Sequence, residues 1–222
     1  RIVVSDGKKI RFDVHHGWIE VPLGSLVQEL VPLPVFLIED ANGKLSAEME
    51  FGGIEETDNL LYVLIGSPGE SGISGGMVSR GEIMHGFKGF AGEIGHIVID
   101  PKGPLCYCGR RGCWEAVTNV FDLIKKIQQW YPDAKLSEID DFFHFVLDNH
   151  TSSRKVYSLL ERYVDMQAEG ITNLIHIINP EKIIIGGKIT LLGEIFLDRL
   201  KQSIKEKAMT PFIEDVDISF SS

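Results

Sequence analysis

The sequence predicts an α/β fold, because strand-like runs and helical patterns alternate along a chain of 222 residues. Apolar, strand-like runs occupy residues 35–38, 60–65, 97–99, 182–185 and 216–220. The first seven residues also read as a strand entering a turn. Helical periodicity fills most of the sequence between the later runs, which favours helices packed on a sheet.

Three helices are predicted in the second half of the chain. The clearest covers residues 153–178, where apolar side chains recur every three or four positions until an Asn-Pro pair ends the helix. The others cover residues 114–130 and residues from about 136 to 150. Gly170 interrupts the first helix at a cost of about 1 kcal/mol relative to alanine, so we expect another backbone to pack closely there.

The charge balance is acidic and argues against two classes of partner. Lys and Arg number 22 and Asp and Glu number 32, which gives a net charge of −10. Such a surface repels phosphate backbones and anionic membranes, so we expect no direct contact with nucleic acid. The longest aliphatic or aromatic run, residues 60–65, is far shorter than the about 20 residues that span a bilayer. Because no signal peptide precedes Arg1, we expect a cytoplasmic protein.

All three cysteines fall within one glycine-containing loop, Cys106-Tyr-Cys108-Gly-Arg-Arg-Gly-Cys113. Three thiols cannot pair off as disulfides, and this spacing lets the backbone fold around a common centre. A structural zinc ion takes four nitrogen or sulfur ligands, and the nearest upstream imidazole is His96. The spacing therefore predicts a zinc site formed by His96, Cys106, Cys108 and Cys113.

Two other interpretations of the cysteines stay open. One is a set of three buried, reduced thiols. The other is a zinc ribbon for nucleic acid, which needs a second cysteine pair and a basic face that this sequence lacks. If zinc is bound, three thiolates, a neutral imidazole and Zn²⁺ leave one negative charge. We therefore expect Arg110 and Arg111 to offset that charge and to hydrogen-bond to the sulfurs.

The cysteine loop and the segment before it together resemble a known family. The run Ala-Gly-Glu-Ile-Gly-His at residues 91–96, followed by the cysteine loop and Trp114-Glu115, resembles the signature of the ROK family of repressors and sugar kinases. The resemblance covers nearly the whole chain. Residues 35–42 are similar to the family's strand ending in Asn-Asp-Ala-Asn, and residues 180–187 to its late strand and double glycine.

This resemblance implies an actin-like ATPase-type, ribonuclease H-like fold of two lobes. Residues 1–52 would then be the remainder of the N-terminal lobe. Residues 53–222 would form the C-terminal lobe with the zinc loop and the sugar-binding motifs. Because the chain begins without methionine and stops inside a strand-like alternation, we expect the fold to be truncated at both ends.

The resemblance also implies a set of sugar-binding residues. His96 would ligate zinc and face the sugar, while Asp40, Glu93 and Glu115 would accept hydrogen bonds from sugar hydroxyls. Two alternatives stay open, because Glu115 also suits a helix N-terminus and Asp40 also suits an Asx turn. Glu39 replaces the family's asparagine, which puts the identity of the sugar in doubt. As neighbours at a strand end, Glu39 and Asp40 should point to opposite faces.

Within the family the choice lies between a kinase and a sensor. A kinase would use Asp40 as general base and needs two phosphate loops. The first, an Asp-x-Gly-x-Thr turn, does not occur in the sequence. The second corresponds to residues 66–76, a loop with apparent extra residues in which Glu70 and Ser74 oppose nucleotide binding.

The sequence thus favours the sugar-sensing part of a ROK-type transcriptional regulator, and an ATP-dependent hexose kinase is the alternative. The expected partners are a monosaccharide effector and a second copy of the chain in a homodimer or higher homo-oligomer. DNA would be reached only through a helix-turn-helix domain that this sequence does not contain. The expected cofactor is a structural zinc ion, and we expect no ATP in this segment and no membrane contact.

Overall fold

The computed structural model describes residues 3–5, 7–13, 17–52, 58–67 and 70–221. Eight strands and seven helices form within this part of the chain. The strands are β1 Val3–Ser5, β2 Lys9–Asp13, β3 Trp18–Val21, β4 Asn59–Ser67, β5 Glu70–Ser79, β6 Glu82–Ile83, β7 Lys182–Gly186 and β8 Asp217–Phe220. The helices are α1 Leu23–Gln28, α2 Asp40–Phe51, α3 Trp114–Val117, α4 Val120–Trp130, α5 Ile139–Asn149, α6 Arg154–Ile178 and α7 Gly193–Lys207.

A five-stranded mixed sheet organises most of the chain, with strand order β6-β5-β4-β7-β8. Strands β4, β7 and β8 are parallel, whereas β5 and β6 are antiparallel to their neighbours. Residues 60–66 of the central strand β4 are all buried. A strand with helices on both faces reads as a continuous apolar run, which is why the sequence predicts β4 and β7 correctly.

The two faces of this sheet pack into two separate cores. Along β4, the side chains of Leu60, Tyr62 and Leu64 face a small cluster with α2. The intervening residues Leu61, Val63 and Ile65 face a larger cluster built with helices α3 to α7. This division follows from the period of two in a strand. Helix α2 and the helices after residue 113 therefore lie on opposite sides of one sheet.

The N-terminal segment forms its own antiparallel sheet, in the order β1-β2-β3. Ile10 in β2 is completely buried. Two backbone hydrogen bonds connect this sheet to the segment before α2, from Gly24 N–H to Lys8 O at 2.7 Å and from Leu37 N–H to Gly7 O at 2.9 Å. The predicted first strand is thus confirmed as β1.

Helix α6 is the longest helix and confirms the prediction for residues 153–178. The Ser153 side chain accepts a hydrogen bond from Val156 N–H at its start, and Asn179 ends it in the left-handed conformation with φ of 50°. Gly170 does pack closely, but against the indole ring of Trp114 and not against a backbone. The Trp114 Nε1–H donates to Gln167 Oε1 at 2.8 Å, one turn earlier on α6.

Several predicted boundaries are wrong. Residues 35–38 form no strand, and the predicted strand at residues 97–99 is reduced to an isolated bridge between Val98 and Cys113. The predicted helix over residues 114–130 is two helices, because Asn119 accepts a hydrogen bond from Asp122 N–H and starts α4 anew. Helix α5 begins at Ile139, three residues after the predicted start.

The glycine-containing stretch at residues 66–76, predicted to be a loop, belongs largely to a β-hairpin. Strand β4 continues to Ser67, and β5 begins at Glu70. Ser74 lies inside β5, opposite Leu64, and is 7% exposed. The side chain of Glu70, to which a repulsive role toward nucleotides is assigned above, lies outside the described residues.

Candidate functional site

The cysteine loop is folded back onto the segment around His96 by backbone hydrogen bonds. Trp114 N–H donates to Ile97 O at 2.8 Å, and Cys106 N–H donates to Arg110 O at 2.7 Å. His96 ends a short 3₁₀ helix, Ile94–His96. Gly112 has φ of 70°, and a Cβ there would overlap the carbonyl oxygen of Asp100. Gly112 thus confirms the prediction that glycine allows this loop to turn tightly.

The four predicted metal ligands come together. The ligand atoms of His96, Cys106, Cys108 and Cys113 all lie within 4.8 Å of one another. The Cys106 Sγ to His96 Nδ1 and the Cys108 Sγ to Cys113 Sγ distances are both 3.6 Å. Tetrahedral zinc with Zn–S bonds of about 2.3 Å and a Zn–N bond of about 2.0 Å separates its ligands by roughly 3.5 Å. The donor set and its spacing therefore fit a zinc ion.

The three thiols differ in acidity. Burial raises the pKa of Cys106 and of Cys113 above the ordinary value. Burial also acts on Cys108, but the Arg110 N–H and the sulfurs of Cys106 and Cys113 outweigh it, so the pKa of Cys108 is lowered. Metal-free protein thus holds two neutral thiols beside a more acidic one, and a divalent cation would favour loss of all three protons.

The guanidinium groups of Arg110 and Arg111 do not form the predicted hydrogen bonds to the sulfurs. The Arg110 guanidinium donates to the backbone carbonyl of His96 at 3.4 Å, and it is the backbone N–H of Arg110 that reaches Cys108. Arg111 is exposed and takes part in a backbone bridge with Leu105. Arg110 nevertheless lies close enough for its positive charge to lower the pKa of Cys113, against the effect of burial.

Carboxylates surround the imidazole of His96. Glu115 Oε1 lies 3.1 Å from His96 Nδ1 and 3.5 Å from Cys106 Sγ, with a side chain that is 4% exposed. Glu93 Oε2 lies 3.7 Å from His96 Nε2, and its side chain is 28% exposed. The cluster therefore has a buried side at Glu115 and an accessible side at Glu93.

Tyr107 is a further member of this group that the sequence does not single out. Its hydroxyl lies 3.4 Å from His96 Nε2, and its ring stands edge-on to the imidazole with centroids 5.3 Å apart. Its position between two cysteines of the candidate metal site is a signal that could have identified it. If Nδ1 ligates a metal, Nε2 keeps its proton and faces Glu93, Tyr107 and the accessible side.

Asp40 and Glu39 lie at the start of α2, not at a strand end. Glu39 caps the helix and accepts a hydrogen bond from Asn42 N–H at 3.1 Å, while Asp40 is its first residue and lies 3.8 Å from Lys44 Nζ. The predicted placement on opposite faces of a strand is therefore wrong. A negative charge is favourable at this end of a helix, which accounts for both carboxylates.

Two adjacent glycines of β5 bring α2 and the Glu93 segment toward the same stretch of strand. Gly75 N–H donates to Gly92 O at 2.9 Å, so the segment before Glu93 docks on the edge of β5. A Cβ on Gly76 would lie 3.2 Å from Ala41 O, in the first turn of α2. The start of α2 thus lies over one face of β5, while the segment before Glu93 lies along the edge of the strand at the adjacent residue.

A cavity of about 640 Å³ lies beside the start of α2. Its lining includes Glu39 and Asn42 together with the nitrogen-bearing side chains of Arg11, His85 and Lys88. Arg11 lies in β2, whereas His85 and Lys88 both follow β6. No local pattern could have identified Arg11 as a neighbour of the other two.

A family model described as "ROK family" matches residues 2–221. The chain belongs to the ROK family. It is 31% identical over 210 residues to a glucokinase of Thermotoga maritima, which covers 90% of this chain and 65% of the relative. It is 29% identical over 205 residues to the xylose repressor of Bacillus subtilis, which covers 92% of this chain and 51% of the relative. The chain thus spans about half to two thirds of such relatives.

Solved structures of ROK proteins share the fold. A ROK family transcriptional regulator, a homologue of the E. coli MLC protein, superposes with a TM-score of 0.81 at 25% identity, over 99% of this chain and 56% of that chain. A ROK glucokinase from Streptomyces griseus, in complex with glucose and AMPPNP, superposes with a TM-score of 0.79 at 23% identity, over 99% and 73%. The predicted actin-like ATPase fold is confirmed. Among the described residues, no helix has the length and apolar character needed to cross a membrane.

Proposed function

We propose that this chain is the sugar-sensing, effector-binding region of a ROK-family transcriptional regulator. A monosaccharide would bind in the cleft between the lobes, residues 1–52 and residues 53–222. Its hydroxyls would meet the carboxylates of Asp40 and Glu93, the imidazole of His96 and the carboxylate of Glu115. Glu39, which lines the neighbouring cavity, would contribute to the choice of sugar.

The observation that carries this proposal is the arrangement of carboxylates around a metal-ligating imidazole. Glu93 and Glu115 lie 3.7 and 3.1 Å from the two nitrogens of the His96 ring. A pyranose presents a ring of hydroxyl donors, and fixed carboxylates accept two such hydrogen bonds each. The accessible Glu93 and the Nε2–H of His96 supply an acceptor and a donor side by side.

A structural zinc ion is part of the proposal. It would be held by His96 Nδ1 and by the sulfurs of Cys106, Cys108 and Cys113. When bound, it would supply no chemistry to a substrate, because four protein ligands leave no open position. It would fix the orientation and tautomer of the His96 ring.

Residues 66–76, which correspond to the family's second phosphate loop, support a sensor over a kinase. Ser74 is a buried residue of β5 at a position where close approach of a phosphate favours glycine. A sensor needs only a sugar whose binding favours one arrangement of the two lobes. DNA binding would then belong to a helix-turn-helix domain outside this chain, and a homodimer would match the symmetry of an operator.

A hexose kinase is the second candidate, favoured by the likeness to glucokinases. Asp40 would then be the general base, since its side chain is 54% exposed at the first turn of α2 and can reach a bound hydroxyl. The Lys44 ammonium lies 3.8 Å from this carboxylate. This role requires nucleotide binding, which the sensor does not.

Calorimetric titration of the zinc-loaded chain with glucose, xylose and N-acetylmannosamine tests the proposal. We expect one of these sugars to bind in a one-to-one ratio, with at least tenfold weaker binding in Glu93→Gln. Glu82→Gln, an exposed carboxylate in β6, is the matched control and should bind as the parent does. Failure of every sugar to bind would overturn the proposal. Transfer of phosphate from ATP to the bound sugar would favour the kinase.

A further inference from the structure

A second cavity, of about 900 Å³, lies between α4 and the first half of α6. We call it the helix cavity. Its wall is largely apolar and includes Val117, Leu123, Trp130, Leu159 and Met166. Its volume is in the range of about 300 to 1,000 Å³ that holds small organic ligands. None of the residues proposed above for zinc or sugar lines it.

Four cationic side chains line the same cavity, namely Lys126, Arg154, Lys155 and Arg162. None of them forms an ion pair with a carboxylate in the described part of the chain. The carboxylate that lines the cavity, Asp122, forms its ion pair with Lys125, at 2.8 Å. Unpaired cations gathered in one place repel each other, and in a chain of net charge −10 carboxylates are plentiful elsewhere.

Two of the four cations lie near an aromatic ring. The Nζ atoms of Lys126 and Lys155 lie 5.4 and 5.7 Å from the centre of the Trp130 ring. Both lysines are exposed, and these contacts place their ammonium groups near the aromatic part of the apolar wall. An apolar surface edged by fixed positive charge matches a ligand with a flat or aliphatic body and an anionic group.

We propose that the helix cavity binds a small organic anion, with an apolar body against Trp130, Leu159 and Met166 and a carboxylate, sulfonate or phosphate group at the cations. A neutral sugar fits this cavity poorly, because its hydroxyls would face apolar side chains and its oxygens would meet one sign of charge. The proposal concerns a site separate from the sugar site and does not depend on the proposed function.

The two sites adjoin each other through helix α3. Glu115 faces the metal cluster, whereas the next residues, Ala116 and Val117, line the helix cavity. Pro104, in the loop that carries the cysteines, lines it as well. A ligand in the helix cavity would therefore contact the same short helix that carries a proposed sugar ligand.

Fluorescence titration with 8-anilinonaphthalene-1-sulfonate tests the proposal, because this probe combines an apolar body with one anionic group. We expect saturable one-to-one binding by the folded, zinc-loaded chain. Substituting both Arg154→Met and Arg162→Met should weaken it at least tenfold. The control pair Arg80→Met and Lys205→Met removes two exposed cations elsewhere and should leave binding unchanged. N-phenyl-1-naphthylamine, which lacks the sulfonate, should bind at least tenfold more weakly to the parent chain.

Three results would overturn the proposal. One is equal binding of the neutral and anionic probes, which would indicate a general apolar surface. Another is binding within twofold of the parent in the Arg154 and Arg162 double variant, once circular dichroism has shown that it is folded. The third is loss of probe binding as the chain self-associates, measured by light scattering, because the cavity would then be an interface between copies.

Discussion

Cys113 links the metal cluster to the rest of the molecule. It is completely buried, it pairs with Val98 in a β-bridge, and it is the residue that precedes helix α3. A ligand in this position ties the loop of cysteines to the helix that carries Glu115. Cys113 therefore connects the candidate metal cluster directly to the position of the Glu115 carboxylate.

Replacing Cys113 with serine should remove zinc. A neutral hydroxyl is a poor ligand for zinc compared with a thiolate, so we expect metal content to fall from about one zinc per chain to less than one tenth. Metal analysis of the dialysed protein measures this. Tyr107→Phe is the matched control, since it alters a neighbour of His96 without removing a ligand. Full zinc retention by the serine variant would contradict the assignment.

At the scale of elements, helices α3 and α6 pack closely because Gly170 has no side chain. The Trp114 indole lies against this glycine and its Nε1–H binds Gln167 Oε1. The contact explains why a glycine stands in the middle of a 25-residue helix despite its cost to helix stability. This packing fixes Trp114, and the residues on either side of it, Cys113 and Glu115, belong to the candidate site.

The substitution Gly170→Ala should therefore destabilise the protein. A methyl group cannot enter without displacing a rigid ring, so we expect a loss of about 1–3 kcal/mol in the free energy of unfolding. Denaturant unfolding of the zinc-loaded protein measures it. Glu169→Ala, at the preceding residue of the same helix, is the control and should change stability little. A Gly170 variant as stable as the parent would show that Trp114 can move freely.

Helix α5 offers a pH-dependent test at its first turn. The N–H groups of Ser137 and Glu138 and the Ser137 hydroxyl donate to the Asp141 carboxylate, which lowers its pKa. Because the folded pKa lies below the unfolded value of about 3.9, this stabilisation is present above that value and is lost as pH falls through the folded pKa. Asp141→Asn should thus lower stability at pH 7 and have a smaller effect near pH 3.

Chemical unfolding of both forms at the two pH values gives the comparison. Asp148→Asn, at another acidic position of the same helix, serves as the control and should show little dependence on pH. A penalty for Asp141→Asn that is equal at both pH values would rule out the proposed carboxylate contribution.

At the scale of the whole molecule, the metal is expected to hold residues 92–115 in place. This segment contains little regular structure of its own, and the cysteine cluster lies between the edge of β5 and helix α3. Removing zinc with a chelator should lower the melting temperature by more than about 5 °C, because a ligand bound only to the native state is lost. Scanning calorimetry with and without added zinc measures this shift. An unchanged melting temperature after complete zinc removal would contradict a structural role.

Much of the site could be predicted because its key residues are close together in the sequence. The cysteine spacing and the preceding His96 predict a candidate metal site without knowledge of the fold, and the four side chains do come together. The buried strands β4 and β7 and the helix α6 were equally evident, since long apolar patterns reflect packing on both faces or along one stripe. These are features in which local sequence and tertiary environment agree.

The remaining features depend on contacts between distant segments. The sequence around Glu39 and Asp40 follows an apolar run and suggests a strand end, but a glutamate cap and packing on β5 start a helix there. The short apolar run at residues 97–99 lacks a partner strand and forms only a bridge. The helix cavity joins α4 to α6, and only folding brings Lys126 of α4 next to Arg154, Lys155 and Arg162 of α6.

In the proposed site, one imidazole and three sulfurs bind zinc and so position the carboxylates that hydrogen-bond to a sugar. X-ray absorption at the zinc edge of the purified protein tests it most directly. We predict one zinc per chain, with three sulfur ligands at about 2.3 Å and one nitrogen ligand at about 2.0 Å. Protein without zinc, or zinc surrounded only by oxygen and nitrogen, would show that the cysteines do not form the proposed zinc site.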